Sequence, residues 1–157
     1  MAGSGHVGRV AGRVAIALVL CLGLAASANA ESTPAARYLV IANAGNRSLD
    51  RYFDRFEGPD RNHLARARSD LRHIAATERL FDRRLSRIAF SGRAERIARS
   101  LYRRNQKRAG LTAMAASSSS LHELRVFARR LDAANAPVER AVRALRRQLG
   151  LPPPPTS

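Results

Sequence analysis

The chain has 157 residues, a single cysteine, and 28 lysines and arginines against 12 aspartates and glutamates, which gives a formal charge of +16. One cysteine excludes a disulfide-stabilised scaffold and a metal site built from several thiolates. A chain of this length can still bury a sufficient core as one domain without such crosslinks.

Residues 1–30 have the organisation of a secretory signal peptide. Two arginines precede an apolar run at 14–24 (VAIALVLCLGL), and Ala-Asn-Ala at 28–30 supplies the small residues of a cleavage site. The run is shorter than the ~20 residues that span a bilayer, although an uncleaved anchor is the alternative. We expect cleavage after Ala30 and a secreted protein, extracellular or associated with the cell wall. Residues 31–157 then hold 26 basic and 12 acidic residues, a charge of +14, and no cysteine.

The next segment is predicted to be a helix that begins at Thr33-Pro34 and ends at Gly58-Pro59. Threonine is a common N-cap, and proline is favoured in the first helical turn. The inward face shows spacings of three and four residues at Leu39, Ala42, Asn46, Leu49, Phe53 and Phe56.

A second helix is predicted within 61–90, with Asp60 as its N-cap. One apolar stripe runs along it through Leu64, Ala67, Leu71, Ile74, Phe81, Leu85 and Ile88. Glu78 falls on this stripe, where the pattern requires an apolar residue. Asp82 is expected on an outer, solvated position.

Two more helices are predicted beyond the turns at Ser91-Gly92 and at Ser117–Ser120. Ser120 and Glu123 have the spacing of a capping box. The fourth helix is expected to be kinked or split near Asn135, because Pro137 removes a backbone hydrogen bond and clashes with the preceding turn. Gly150 is expected to end it, and 152–157 to form a proline-rich disordered tail.

Four amphipathic segments with short joints predict an all-α fold. We expect one domain at 31–151, an antiparallel up-down-up-down four-helix bundle. No strand pattern or internal repeat competes with this interpretation.

Three stretches resemble a group of small secreted proteins of actinobacteria: ARYLVIANAGNRSLDRYFD, ARSDLRHIAATERLFDRRL and VERAVRALRRQLGLPPP. The resemblance covers nearly all of the chain after the signal peptide. It implies export and an all-helical domain, and it implies no reaction.

Polar residues interrupt the apolar stripe of every helix and form a candidate polar layer. Its members are Glu78, Asn105, Asn135, Asn43 and Asn46. Glu78 lies 13 residues before Ser91 and Asn105 lies 14 after it, so we expect these two at the same level of the bundle. A buried carboxylate must be paired, hydrogen-bonded or protonated. Arg47 or Arg104 is expected to neutralise it.

The layer has three open interpretations. It is a structural network that fixes the register of the helices, or a site for a small ligand carried at mid-bundle, or Glu78 is partly exposed. Asn135 could instead be an N-cap beside the break at Pro137. No metal-binding motif, nucleophile constellation or glycine-rich phosphate loop occurs, and with one interior carboxylate there is no acid/base pair. We therefore expect no catalytic residues, no metal and no cofactor.

The basic residues are scattered over all four segments, including the arginine pairs 83–84, 103–104, 129–130 and 146–147. Specific nucleic-acid binders usually concentrate charge on one face, so we expect no specific nucleic acid partner. Anionic cell-wall polymer or membrane headgroups fit an exported protein better. Alternatively, the net positive charge could reflect the amino-acid composition alone and have no binding function. The sequence thus favours a non-catalytic binding protein of the cell wall or extracellular space, with the ligand carrier as the alternative.

Overall fold

A computed structural model describes residues 33–154. They form four α-helices and, within that range, no strand: α1 (Pro34–Glu57), α2 (Leu64–Leu85), α3 (Gly92–Ala115) and α4 (Leu121–Gln148). The predicted signal peptide and cleavage site lie outside the described residues. None of the four helices is both long and apolar enough to cross a membrane.

The helix ends follow from local side-chain and backbone chemistry. Thr33 caps α1 by accepting a hydrogen bond from the amide of Ala36, directly before Pro34. Ser120 caps α4 by accepting from the amide of Glu123 at 3.1 Å. The Glu123 carboxylate accepts from the amide and hydroxyl of Ser119 rather than from Ser120. This motif therefore differs from a standard capping box, because the glutamate side chain contacts the residue before the N-cap and not the N-cap itself.

The end of α4 is a Schellman motif. Gly150 adopts a positive φ of 68°, which glycine tolerates without steric cost. The amide of Gly150 donates to the carbonyl of Arg147, and the amide of Leu151 donates to the carbonyl of Arg146. Arg146 is buried, and its Nε donates to the carbonyl of Pro152 at 2.6 Å. The first residue of the proline-rich tail is thus fixed against α4.

The start of α2 differs from the prediction. The N-cap position is His63, without a side-chain cap, and Asp60 is buried and paired with arginines instead. Near the same end of α2, Arg68 donates from Nε to the carbonyl of Ala116 at 3.0 Å, which satisfies an orphan carbonyl at the end of α3.

Each helix packs against the next one along the chain. The first of two hydrophobic clusters combines Tyr38 and Ala42 of α1 with Leu85, Ile88, Ala98, Leu101, Val138, Ala141 and Leu145. The second combines Ala67, Leu71, Ile74, Ala115, Ala116, Leu124 and Phe127, and the second half of α1 packs on it. Along each helix, the polar residues of the predicted layer come between the residues of the first cluster and those of the second. Pro137 lies inside α4, which stays helical through it.

Candidate functional site

Glu78 is buried in α2 and is fully paired by side chains of α3. Its Oε1 lies 2.7 Å from Nη2 of Arg108, and its Oε2 accepts a hydrogen bond from the Thr112 hydroxyl at 3.1 Å. Glu78 is 2% exposed and Arg108 is 8% exposed. The expected counter-charges, Arg47 and Arg104, are both exposed, so the neutralising residue is a different arginine.

Asn105 lies beside Glu78 and links it to a second buried carboxylate. Its Nδ2 donates to Oδ1 of Asp82 at 2.9 Å and to the backbone carbonyl of Glu78 at 3.3 Å. The expectation that Asp82 is solvated was wrong, because the residue is 3% exposed. It follows Glu78 by four residues and therefore lies one turn along the same side of α2.

Asn135 joins this network from α4 through Arg108. Nη1 of Arg108 donates to Oδ1 of Asn135 at 3.4 Å, while Nη2 contacts Glu78. One guanidinium therefore connects α2, α3 and α4. Its planar, forked arrangement of donors suits such a bridging role. Asn135 is helical and lies inside α4 rather than at a cap.

The two asparagines of α1 do not join the network. Asn46 is buried, but its Nδ2 has no hydrogen-bond partner, and Asn43 is half-buried. A separate hydrogen bond of 3.0 Å between the hydroxyls of Ser48 and Thr77 connects α1 to α2. The hydrogen-bonded layer therefore comprises α2, α3 and α4.

The network contains two carboxyl groups and one guanidinium, and burial raises the pKa of both carboxyl groups. The pKa of Asp82 is raised from 3.8 to about 6, chiefly by burial. The hydrogen bond from Asn105 and the charge of Arg108 oppose the increase, and the nearby charge of Glu78 adds to it. Burial also raises the pKa of Glu78, with Arg108 and Thr112 opposing the increase. Oδ2 of Asp82 is buried without a hydrogen-bond partner. Asp82 and Glu78 therefore both hold a proton to higher pH than an ordinary carboxyl group does.

A second acidic pair lies at the joint between α1 and α2. Asp70 is 0% exposed, with Oδ1 3.4 Å from Nε of Arg55, and Asp60 is 3.5 Å from the same guanidinium. Burial and the neighbouring carboxyl of Asp60 raise the pKa of Asp70, while Arg55 lowers it. Tyr52 stacks on His73 close by, with ring centroids 4.5 Å apart. The prediction of a single interior carboxylate was therefore wrong, since Glu78, Asp82, Asp60 and Asp70 are all buried.

Open space lies beside Asp82. A groove of about 440 Å³ between α2 and α3 is lined by Asp82 together with exposed polar side chains, and Glu78 is not among its lining residues. Within residues 33–154, no group of three or more His, Cys, Asp or Glu side chains is placed to hold a metal ion. The arrangement around Glu78 can hold a proton and join helices.

No protein family, curated protein or solved structure matches this chain. The interpretation of the site therefore depends on its own geometry and charge.

Proposed function

We propose that the chain is an exported, non-catalytic binding protein of the cell wall or extracellular space, which adsorbs to anionic cell-wall polymer or membrane headgroups. The observation that carries this proposal is the distribution of charge between surface and interior. In the described residues, 23 of the 26 basic side chains are exposed and only Arg108 and Arg146 are buried. Four acidic side chains are buried, so the surface is more positive than the net charge alone indicates.

The arrangement of the arginines favours adsorption over specific recognition. Exposed arginines occur on all four helices, and ion pairs involve few of them. A surface of this kind attracts polyanions from many orientations, because the attraction depends on charge density and not on one fitted contact. The resemblance to small secreted proteins of actinobacteria supports the same location, and we propose that the chain belongs with them.

We further propose an antiparallel up-down-up-down bundle with α4 kinked near Pro137. Membership of the two hydrophobic clusters supports this topology. The first cluster joins the start of α1, the end of α2, the start of α3 and the second half of α4, and the second cluster joins the opposite ends. Pro137 supports the kink because it cannot donate to the helical hydrogen-bond ladder.

We propose that the polar layer around Glu78 has a structural role and is not a ligand site. Both carboxylate oxygens are used by Arg108 and Thr112, so a ligand at Glu78 would have to displace a buried protein partner. Removing such a partner leaves a buried charge uncompensated, which is costly. The alternative of a carrier with its ligand at Glu78 is therefore less well supported than a network that holds α2, α3 and α4 in register.

The experiment that tests this proposal is retention of the protein on purified cell wall and on anionic vesicles as a function of salt. We expect strong retention at low ionic strength and a steep decrease towards about 0.15 M, where the screening length falls to roughly 8 Å. Neutral vesicles provide the control. Retention that does not depend on salt, or no retention at low salt, contradicts the proposal.

A further inference from the structure

The groove between α2 and α3 is a candidate binding site distinct from the buried layer. Its volume is about 440 Å³, and it is lined by Arg79, Asp82, Arg83, Tyr102, Gln106, Ala109 and Gly110. The groups on its walls differ in what they can recognise, and together they select a class of ligand.

Two arginines supply an anion site on the α2 wall. Arg79 and Arg83 are exposed and one helical turn apart, and neither guanidinium forms an ion pair or hydrogen bond with another described residue. Like charges at this spacing repel each other, and an anion held between them removes the repulsion. Guanidinium groups match phosphate oxygens with paired hydrogen bonds, so phosphate is the anion best suited to this wall.

The remaining polar groups are suited to hydroxyls. The Tyr102 hydroxyl accepts a hydrogen bond from Nε2 of Gln106 at 2.7 Å, so its own proton has no acceptor among residues 33–154. Oδ2 of Asp82 is a buried acceptor without a donor, and it is the unpaired buried polar atom among the side chains that line the groove. A hydroxyl group is both donor and acceptor and can pair with groups of either kind.

Gly110 provides space for close approach to the α3 backbone. A Cβ built at this position meets no other atom within 4 Å, so packing does not require glycine here. Glycine inside a helix is less favourable than alanine. Its backbone is, however, open to a ligand in the groove.

We propose that this groove binds a phosphorylated polyol, with the phosphate on Arg79 and Arg83 and the hydroxyls on Tyr102, Gln106 and Asp82. The same chemistry occurs in a free polyol phosphate and in the repeating unit of a phosphate-linked polymer. This site does not depend on adsorption by the other arginines, so either proposal can fail without the other.

The test is calorimetric titration of the purified full chain with glycerol 3-phosphate, and separately with poly(glycerol phosphate), glycerol and inorganic phosphate. We expect saturable binding of glycerol 3-phosphate, with glycerol and inorganic phosphate each about tenfold weaker or more. Tighter binding of the polymer per phosphate unit identifies the polymer as the source of the ligand, and tighter binding of the monomer identifies the small molecule. No saturable binding of either ester, or equal binding of inorganic phosphate, overturns the proposal.

Variants locate the binding in the groove. Gly110→Leu fills the open space and is expected to weaken glycerol 3-phosphate binding by about tenfold or more, whereas the matched control Gly110→Ala adds one methyl group and is expected to bind like the parent. Arg83→Gln changes an exposed residue without a partner and is expected to weaken the phosphate contact while the circular dichroism spectrum is unchanged. Binding that survives both Gly110→Leu and Arg83→Gln in folded protein would place the ligand elsewhere and overturn the assignment.

Discussion

Replacing Glu78 by alanine is expected to destabilise the bundle by about 3 kcal/mol. The change removes the carboxylate that lies 2.7 Å from Arg108 and leaves that guanidinium without an anionic partner. Breaking a buried ion pair from one side typically costs about 3–5 kcal/mol. Arg108 is 8% exposed and keeps its hydrogen bond to Asn135, which places the expected cost at the lower end. Thr112 adds little, because its hydroxyl can still donate to the carbonyl of Arg108.

Glu78→Gln separates the loss of charge from the loss of shape. The amide oxygen can accept from Arg108, and the amide nitrogen can donate to the Thr112 hydroxyl, so both side chains that contact Glu78 keep a hydrogen-bond partner. We expect Glu78→Gln to lower the free energy of unfolding by about 1–2 kcal/mol, which is less than the loss expected for Glu78→Ala. The double variant Glu78→Met with Arg108→Met removes both charges together. Its cost is expected to be well below the sum of the two single changes, because the two residues share one interaction.

The assay is urea unfolding at neutral pH with circular dichroism, and the control is Glu139→Ala. Glu139 forms an exposed pair with Arg143 one turn away, at 3.5 Å, and exposed pairs of this kind contribute at most about 0.5 kcal/mol. A change for Glu78→Ala no larger than that of the control would refute the reasoning, as would strict additivity of the two methionine changes.

Three further predictions concern pH, the α1–α2 joint and export. Because burial raises the pKa of Asp82 to about 6, the folded protein holds this proton more tightly than the unfolded chain, and stability falls as the pH rises from 4 through 6. Asp82→Asn, compared with the parent by urea unfolding, should gain about 2 kcal/mol of relative stability between pH 4 and pH 7.5, and an unchanged difference would argue against the shift. Arg55→Ala should lower the free energy of unfolding by about 1–2 kcal/mol, because it leaves the fully buried Asp70 without its cation. The control Arg66→Ala changes a more exposed arginine and should alter it by no more than about 0.5 kcal/mol. Equal effects of the two changes would contradict this account. N-terminal sequencing of protein from culture medium should begin at Glu31, and recovery only from membranes with residues 14–24 retained would contradict export.

The helices and their caps could be predicted because their signals are local. Thr33 with Pro34, Ser120 with Glu123, and Gly150 each act through atoms a few residues away, so the chain order alone shows them. The same kind of reasoning placed Glu78 and Asn105 at one level by counting from a shared turn, and the two residues are in contact. Asp60 shows the limit: its side chain met arginines across the joint rather than the local backbone.

The partners inside the layer could not be predicted from one helix at a time. The burial of Arg108 could not be predicted, because a periodicity argument treats every arginine as exposed. Its long stem can nevertheless lie along apolar surface while its head contacts a buried acid. Asp82 lies on α2 next to Phe81 and close to the buried Leu85. Whether this side of α2 is buried depends on how closely α3 approaches it. Asn46 is buried as the stripe requires, but the rotation of α1 decides which residues it contacts, and its Nδ2 has no hydrogen-bond partner.

The central claim is that the interior polar layer holds the bundle together while the exposed arginines bind the anionic partner. Its most direct test is retention on purified cell wall at low salt, measured side by side for the parent, Glu78→Gln, and a variant with glutamine at Arg84, Arg103, Arg129 and Arg147. These four arginines are exposed, and their side chains have no ion pair or hydrogen bond with another described residue. The account predicts parental retention for folded Glu78→Gln and a marked loss for the four-arginine variant. Loss of retention in folded Glu78→Gln, with the four-arginine variant unaffected, would contradict it.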